Sequence, residues 1–170
     1  MENQQKYPRK VISILVENHY GVLARISSMF NRRSFNIDSL AVGETENAEV
    51  SCMTIVSSGS ERTMEQIEKQ LNKKLDVIKI RSFENWQAVA RELCLVKVRY
   101  NRSNKMEIMA TCSLAGAQIV DSSKNMMLIQ ICDTPEKVQA MLELLHGVSI
   151  VEVARTGTLA LPACGVNLDK

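Results

Sequence analysis

One alternation of periodicities is written twice along this chain, and it constrains the fold more than any other feature. Lys10 to Val16 alternates as a strand, with Ile12, Ile14 and Val16 on one face. Gly21 to Arg33 switches to helical spacing, with Val22, Ile26, Met29 and Phe30 on one stripe. Asn36 to Val42 and Val50 to Ser57 read as two strands joined by the polar turn "GETENAE". Glu61 to Leu75 reads as a helix with the stripe Met64, Ile67, Leu71 and Leu75, and Ser60 as its N-cap. Val77 to Ser82 is a β-branched strand. The order then returns. "ELCLVKVRY", Glu92 to Tyr100, alternates as a strand. Ser103 can cap a helix with the stripe Met106, Met109, Ala110 and Leu114. Gln118 to Asp121 and Met126 to Cys132 follow as strands. Thr134 caps the last helix and Pro135 opens it; Val138, Met141, Leu142 and Leu145 form its stripe and Gly147 suits its stop. Ser149 to Arg155 closes the series.

Two β-α-β-β-α-β runs predict an α+β chain of two tandem ferredoxin-like domains, residues 8–84 and 92–162, with a linker at 85–91 and a tail at 163–170. The linker region, "FENWQAVAR", carries the sole tryptophan, Trp86, expected to pack at the seam between halves. Each half of about 75 residues is marginal alone, and a four-stranded sheet leaves free edges. Association of halves, of chains, or of both is therefore expected.

The fold hosts unrelated activities, so the site must decide. A formal charge of +2 disfavours a nucleic-acid or membrane-surface protein. "VSCMTIVSS" lacks the aromatics on which an RNA-recognition sheet stacks bases. The first strand-to-helix loop, "NHYGV", has no cysteine pair for a metal. His19 and His146 stand far apart, as exposed or capping residues. An acylphosphatase-like enzyme would want an arginine among the loop amides, and Arg25 lies a full turn into the helix. No helix-turn-helix and no catalytic set is visible; the carboxylates of "EQIEKQLNKK" read as a solvated face. The polar N-terminus and the absence of a long apolar run predict a cytoplasmic protein without leader or membrane span. Five cysteines, Cys52, Cys94, Cys112, Cys132 and Cys164, are expected to be reduced; the four in apolar-patterned segments read as core thiols.

Small-ligand sensing is the class the first corner favours. The leading amides of a helix have no internal partner and seat a carboxylate. Gly21 removes a side chain where a ligand would approach the backbone, and Asn18 and Asn36 each offer a donor and an acceptor. The same residues read equally as a turn glycine and two capping asparagines, and spacing does not separate the two readings.

The stretch Ile14-Leu15-Val16-Glu17-Asn18, then Gly21-Val22-Leu23-Ala24-Arg25, then Asn36-Ile37-Asp38-Ser39-Leu40 resembles the small, regulatory subunits of acetolactate synthase, a family of ACT-domain proteins. "EQIEKQLNKKLDVIKI", "RELCLVKV" and "IVEVARTGTLAL" extend the resemblance over nearly the whole chain. The resemblance implies an N-terminal ACT domain and a C-terminal ferredoxin-like domain. It implies a non-catalytic subunit that activates a large catalytic partner and confers feedback inhibition by valine, in branched-chain amino-acid biosynthesis. It implies a homodimer through the ACT domains, with valine held by Asn18, Gly21, Val22 and Leu23 of one chain and Asn36 and Ile37 of its neighbour. No cofactor is implied in this subunit; thiamine diphosphate, Mg and FAD are implied on the large one. Many members carry glycine where this chain has Ser34, so a changed turn is expected before Asn36.

Overall fold

The computed structural model describes residues 9–83 and 87–166. Trp86 lies outside the described residues. In chain order the elements are β1 (Arg9–Glu17), α1 (Val22–Arg32), β2 (Ser39–Glu44), β3 (Val50–Ser58), α2 (Glu61–Leu71), β4 (Val77–Phe83), β5 (Ala88–Arg99), α3 (Lys105–Ala115), β6 (Gln118–Ser122), β7 (Met126–Asp133), α4 (Pro135–Leu144), β8 (Ser149–Arg155) and β9 (Leu159–Pro162). The repeated β-α-β-β-α-β order is the one the periodicities predict. The chain forms two compact units, divided after Val89 and again after Gly157, where it rejoins the first unit.

In the first unit the strand order is β2-β3-β1-β4, all antiparallel. Register fixes which residues share a face: Ile12 pairs Ile55 and Ile14 pairs Met53. These side chains meet Val22, Ile26, Met29 and Phe30 of α1 and Met64, Ile67 and Leu71 of α2 in one core. Each large aliphatic group so buried contributes about 1.5–3 kcal/mol relative to exposure. The returning chain touches this sheet. Ala160 of β9 is buried, β9 lies against β1, and the Thr158 N–H donates to Ser39 Oγ at 3.1 Å. The strand at 159–162 has no expected counterpart, and β5 begins at Ala88, inside the expected linker.

The second unit repeats the order as β6-β7-β5-β8. Cys94, Val96 and Val98 of β5 and Met127, Ile129 and Ile131 of β7 meet Ile108, Cys112, Val138, Met141 and Leu145. Glu92, 4% exposed, receives two charge-assisted bonds from Arg155 at 2.8 and 2.7 Å, which tie β5 to β8.

Several expectations fail in instructive ways. The strand expected from Asn36 starts at Ser39, because Asn36 and Asp38 spend their polar groups locally: Asn36 Nδ2 donates to Asp38, and Ser57 Oγ donates to the Asn36 carbonyl. Helix α2 stops at Leu71, and Leu75 is 98% exposed; the polar run after Leu71 forms turns instead. The α3 stripe is the wrong one: Ile108 and Cys112 face the core, while Met106 and Leu114 are 72% and 88% exposed. Ser103 does not cap α3; Asn104 holds that position. Gly147 does not end α4, which stops at Leu144 with Leu145 as its cap. Leu142 is only partly buried. Cys94 and Cys112 are buried thiols whose pKa burial pushes up, but Cys52 is half-buried and Cys132 is exposed, since β7 sends Met127, Ile129 and Ile131 to the core instead.

The turn after α1 is not the altered one expected. Ser34 itself takes φ 55°, in the left-handed region. The Phe35 N–H donates to the Phe30 carbonyl at 3.0 Å and the Ser34 N–H to the Asn31 carbonyl at 3.0 Å. That pattern is a Schellman motif with serine at the usual glycine position. Phe30 and Phe35 close it edge to face, 6.2 Å apart.

Candidate functional site

Between Glu17 of β1 and Val22 of α1 the chain turns at Gly21, which caps the helix at φ 85°, ψ −5°. Glycine takes that conformation without a Cβ penalty. It also leaves the helix without a side-chain cap, and the first turn holds no acidic residue. The Val22 N–H reaches the His19 carbonyl at 3.5 Å and the Arg25 N–H reaches the Gly21 carbonyl at 2.9 Å. Among the described residues nothing accepts from the N–H groups of Leu23 and Ala24. Helices α2 and α4 differ: Ser60 Oγ accepts from Thr63 and Thr134 Oγ1 from Lys137, whereas α3, like α1, has no side-chain cap but starts at Asn104 and not at a glycine. Two open amides at the positive end of a helix dipole are suited to receive one carboxylate.

The structure gathers Asn18, Gly21 and Leu23 on this exposed corner, where Leu23 presents an apolar surface, 44% exposed. Val22 differs: its side chain is in the core, so only its backbone belongs to the corner. Asn18 donates both amide hydrogens within the chain, to the Ala48 carbonyl at 2.8 Å and Glu44 Oε1 at 3.1 Å. Its structural role is therefore real, and its Oδ1 remains as the acceptor. Asn36 and Ile37 stand beyond the other end of α1, an eleven-residue helix about 16 Å long. One chain thus does not bring the two groups together. Ile37 packs partly against its own core.

Beside the corner lies an ion network that sequence reasoning missed. Arg25 Nε and Nη2 donate to Asp76 Oδ2 and Oδ1 at 2.8 and 3.0 Å. The bidentate guanidinium holds the Asp76 carboxyl below the usual carboxylate range. His19 Nε2 lies 3.2 Å from Glu17 Oε2 and 3.3 Å from Asp76 Oδ1. Glu17, His19 and Asp76 bring ligand atoms within 4.8 Å of one another, yet both Asp76 oxygens already serve Arg25. The donor set is committed to the ion pair and does not argue for a metal. The only sequence signal for this network was an arginine four residues after the capping glycine.

The sequence pattern of the AHAS small subunit-like ACT domain matches residues 12–79, and that of the small subunit of acetolactate synthase matches residues 91–163. The chain is 46% identical over 154 residues to the acetolactate synthase small subunit of Mycolicibacterium smegmatis, covering 91% of each. The chain belongs to the acetolactate synthase small-subunit family. It is 40% identical over 153 residues to the corresponding Bacillus subtilis subunit, covering 89% of each. The crystal structure of the small subunit from Thermotoga maritima superposes with a TM-score of 0.86 at 35% identity, over 94% of this chain and 99% of that one. The ACT-type fold of the first unit is therefore a family property, and the corner at Gly21 falls within the matched ACT segment.

Proposed function

We propose that this small subunit is the non-catalytic, regulatory partner of a thiamine-diphosphate-dependent large subunit, which it activates and makes sensitive to valine. The observation that carries the reading is the uncapped first turn of α1, with the Leu23 and Ala24 amides open beside a glycine. Valine's carboxylate would take those amides, its ammonium the Asn18 Oδ1, and its isopropyl group the surface of Leu23. Asn36 and Ile37 would come from a second copy, because they stand at the far end of α1 from the corner. Edge strands β2 and β4 of the first sheet support such a dimer, since exposed edges favour pairing. Thiamine diphosphate, Mg and FAD would reside on the large subunit, and the assembly would act in the cytoplasm in valine, leucine and isoleucine synthesis.

Valine shifts the holoenzyme only through unequal affinity for its states, on a scale of about 1–3 kcal/mol. A pocket that selects by size separates one methylene by about 1–3 kcal/mol, so isoleucine and leucine should bind more weakly. Calorimetry with the three amino acids, combined with acetolactate formation by the large subunit with and without this chain, tests the reading. Saturable valine binding, stimulation and valine inhibition are expected. A large subunit whose turnover ignores the chain would overturn it.

A further inference from the structure

The second unit has no glycine matching Gly21 ahead of α3, yet it holds a cavity of about 570 Å³ where β5 runs into α3. Its lining is Tyr100, Asn101, Arg102, Lys105, Lys124 and Asn125. Three of these six are cations and none is an acid. That size falls within the range of small-molecule sites, about 300–1,000 Å³.

The walls are pinned. Tyr100 donates its hydroxyl to the Ser123 carbonyl at 2.7 Å and its N–H to the Asn125 carbonyl at 3.0 Å. These bonds fix the turn that carries Lys124 and Asn125 against the end of β5. Lys105 Nζ stands 5.7 Å from the Tyr100 ring centroid, a cation–π placement. Asn101 Oδ1 accepts from the Ser103 N–H at 2.8 Å and the Asn104 N–H at 3.1 Å. The turn amides of Ser103 and Asn104, just ahead of α3, are thus already taken, and the charged groups that line the cavity are its side chains. Among the described residues neither Arg102 nor Lys124 has a carboxylate partner, and nothing engages the side-chain amide of Asn125.

We propose that this cavity binds a small polyanion, a phosphate ester or polycarboxylate, through Arg102, Lys105 and Lys124. Arg102 offers a planar fork suited to two anionic oxygens, and the lysines add point charge. An amino acid is disfavoured, because its ammonium would enter a ring of cations with no acceptor carboxylate. The site therefore differs in chemistry from the corner at Gly21, and the inference does not depend on valine binding there.

The test is a titration of the full-length, isotope-labelled chain with pyrophosphate and, separately, with citrate, followed by amide chemical shifts. Sodium chloride at matched ionic strength is the control. Saturable shifts confined to residues 100–105 and 123–126 are expected. Arg102→Gln and Lys124→Gln, both at exposed positions, should each weaken binding at least several-fold while leaving the spectrum folded. Raising ionic strength from about 0.01 to 0.1 M shortens the screening length from about 30 to about 10 Å and should weaken binding further. Saturation by pyrophosphate alone would assign phosphates, and saturation by citrate alone would assign polycarboxylates. Shifts that track chloride, spread over lysines elsewhere, or persist unchanged in both variants would overturn the proposal.

Discussion

Arg25 and Asp76 form a bidentate ion pair at 2.8 and 3.0 Å, joining the first helix to the residue that precedes β4. The Asp76 carbonyl also accepts from the Glu17 N–H at 2.9 Å. The pair and this backbone bond together hold the end of β1 where the chain turns toward Gly21. Both partners are polar residues near solvent, so the link positions the corner more than it stabilises the fold.

Asp76→Asn should make that link pH-independent. The Asp76 carboxyl titrates below its ordinary range in the folded chain, chiefly through its bonds with Arg25. A depressed carboxyl contributes stability above its unfolded pKa of about 3.9 and loses it as pH falls through the lower folded value. The melting-temperature gap between wild type and variant should therefore shrink as pH falls below about pH 4. A gap that widens on acidification would contradict the assigned direction.

Ser34→Gly should stabilise the first unit. Ser34 is exposed and held at φ 55°, where a Cβ costs about 1–2 kcal/mol. Glycine removes that strain but adds unfolded-state freedom worth about 0.4–1 kcal/mol. A net gain of about 0.5–1 kcal/mol is expected in denaturant unfolding. Loss of stability would mean that the serine contributes bonds which outweigh its strain.

Helix α3 marks how far the sequence carried the fold. Periodicity located all the elements of both repeats, because alternating strands and amphipathic α1 and α2 have one apolar face each. Helix α3 is apolar nearly all round, so spacing alone could not choose between the Met106 and Ile108 faces. The strand β9 was illegible for another reason: "LALP" is short, and its place depends on a sheet far away in sequence. The corner at Gly21 was legible as a motif, but its Arg25–Asp76 support was not, since the partners lie 51 residues apart. Ile108→Ala should cost about 2–5 kcal/mol as a core truncation. Leu114→Ala, on the opposite face at 88% exposure, should change stability by no more than about 0.5 kcal/mol. The reverse ranking in chemical denaturation would restore the stripe read from spacing.

Gly21→Asp is the most direct test of the corner. A Cβ built at Gly21 meets Arg25 Nη1 at 3.3 Å, so the new side chain starts against the guanidinium that holds Asp76. At φ 85° any L residue is strained, by about 1–2 kcal/mol. The new carboxylate also stands where the Leu23 and Ala24 amides would receive valine's own. Two anions about 4 Å apart repel by about 4 kcal/mol at an effective dielectric of 20, which Arg25 offsets in part. Gly21→Ala carries the strain without the charge and serves as the control. Both variants should fold by circular dichroism and still stimulate the large subunit. Valine inhibition of the reconstituted enzyme should survive in the alanine variant at higher valine concentration and disappear in the aspartate variant. An unchanged inhibition curve for folded Gly21→Asp would place the effector elsewhere and leave Gly21 as a turn residue alone.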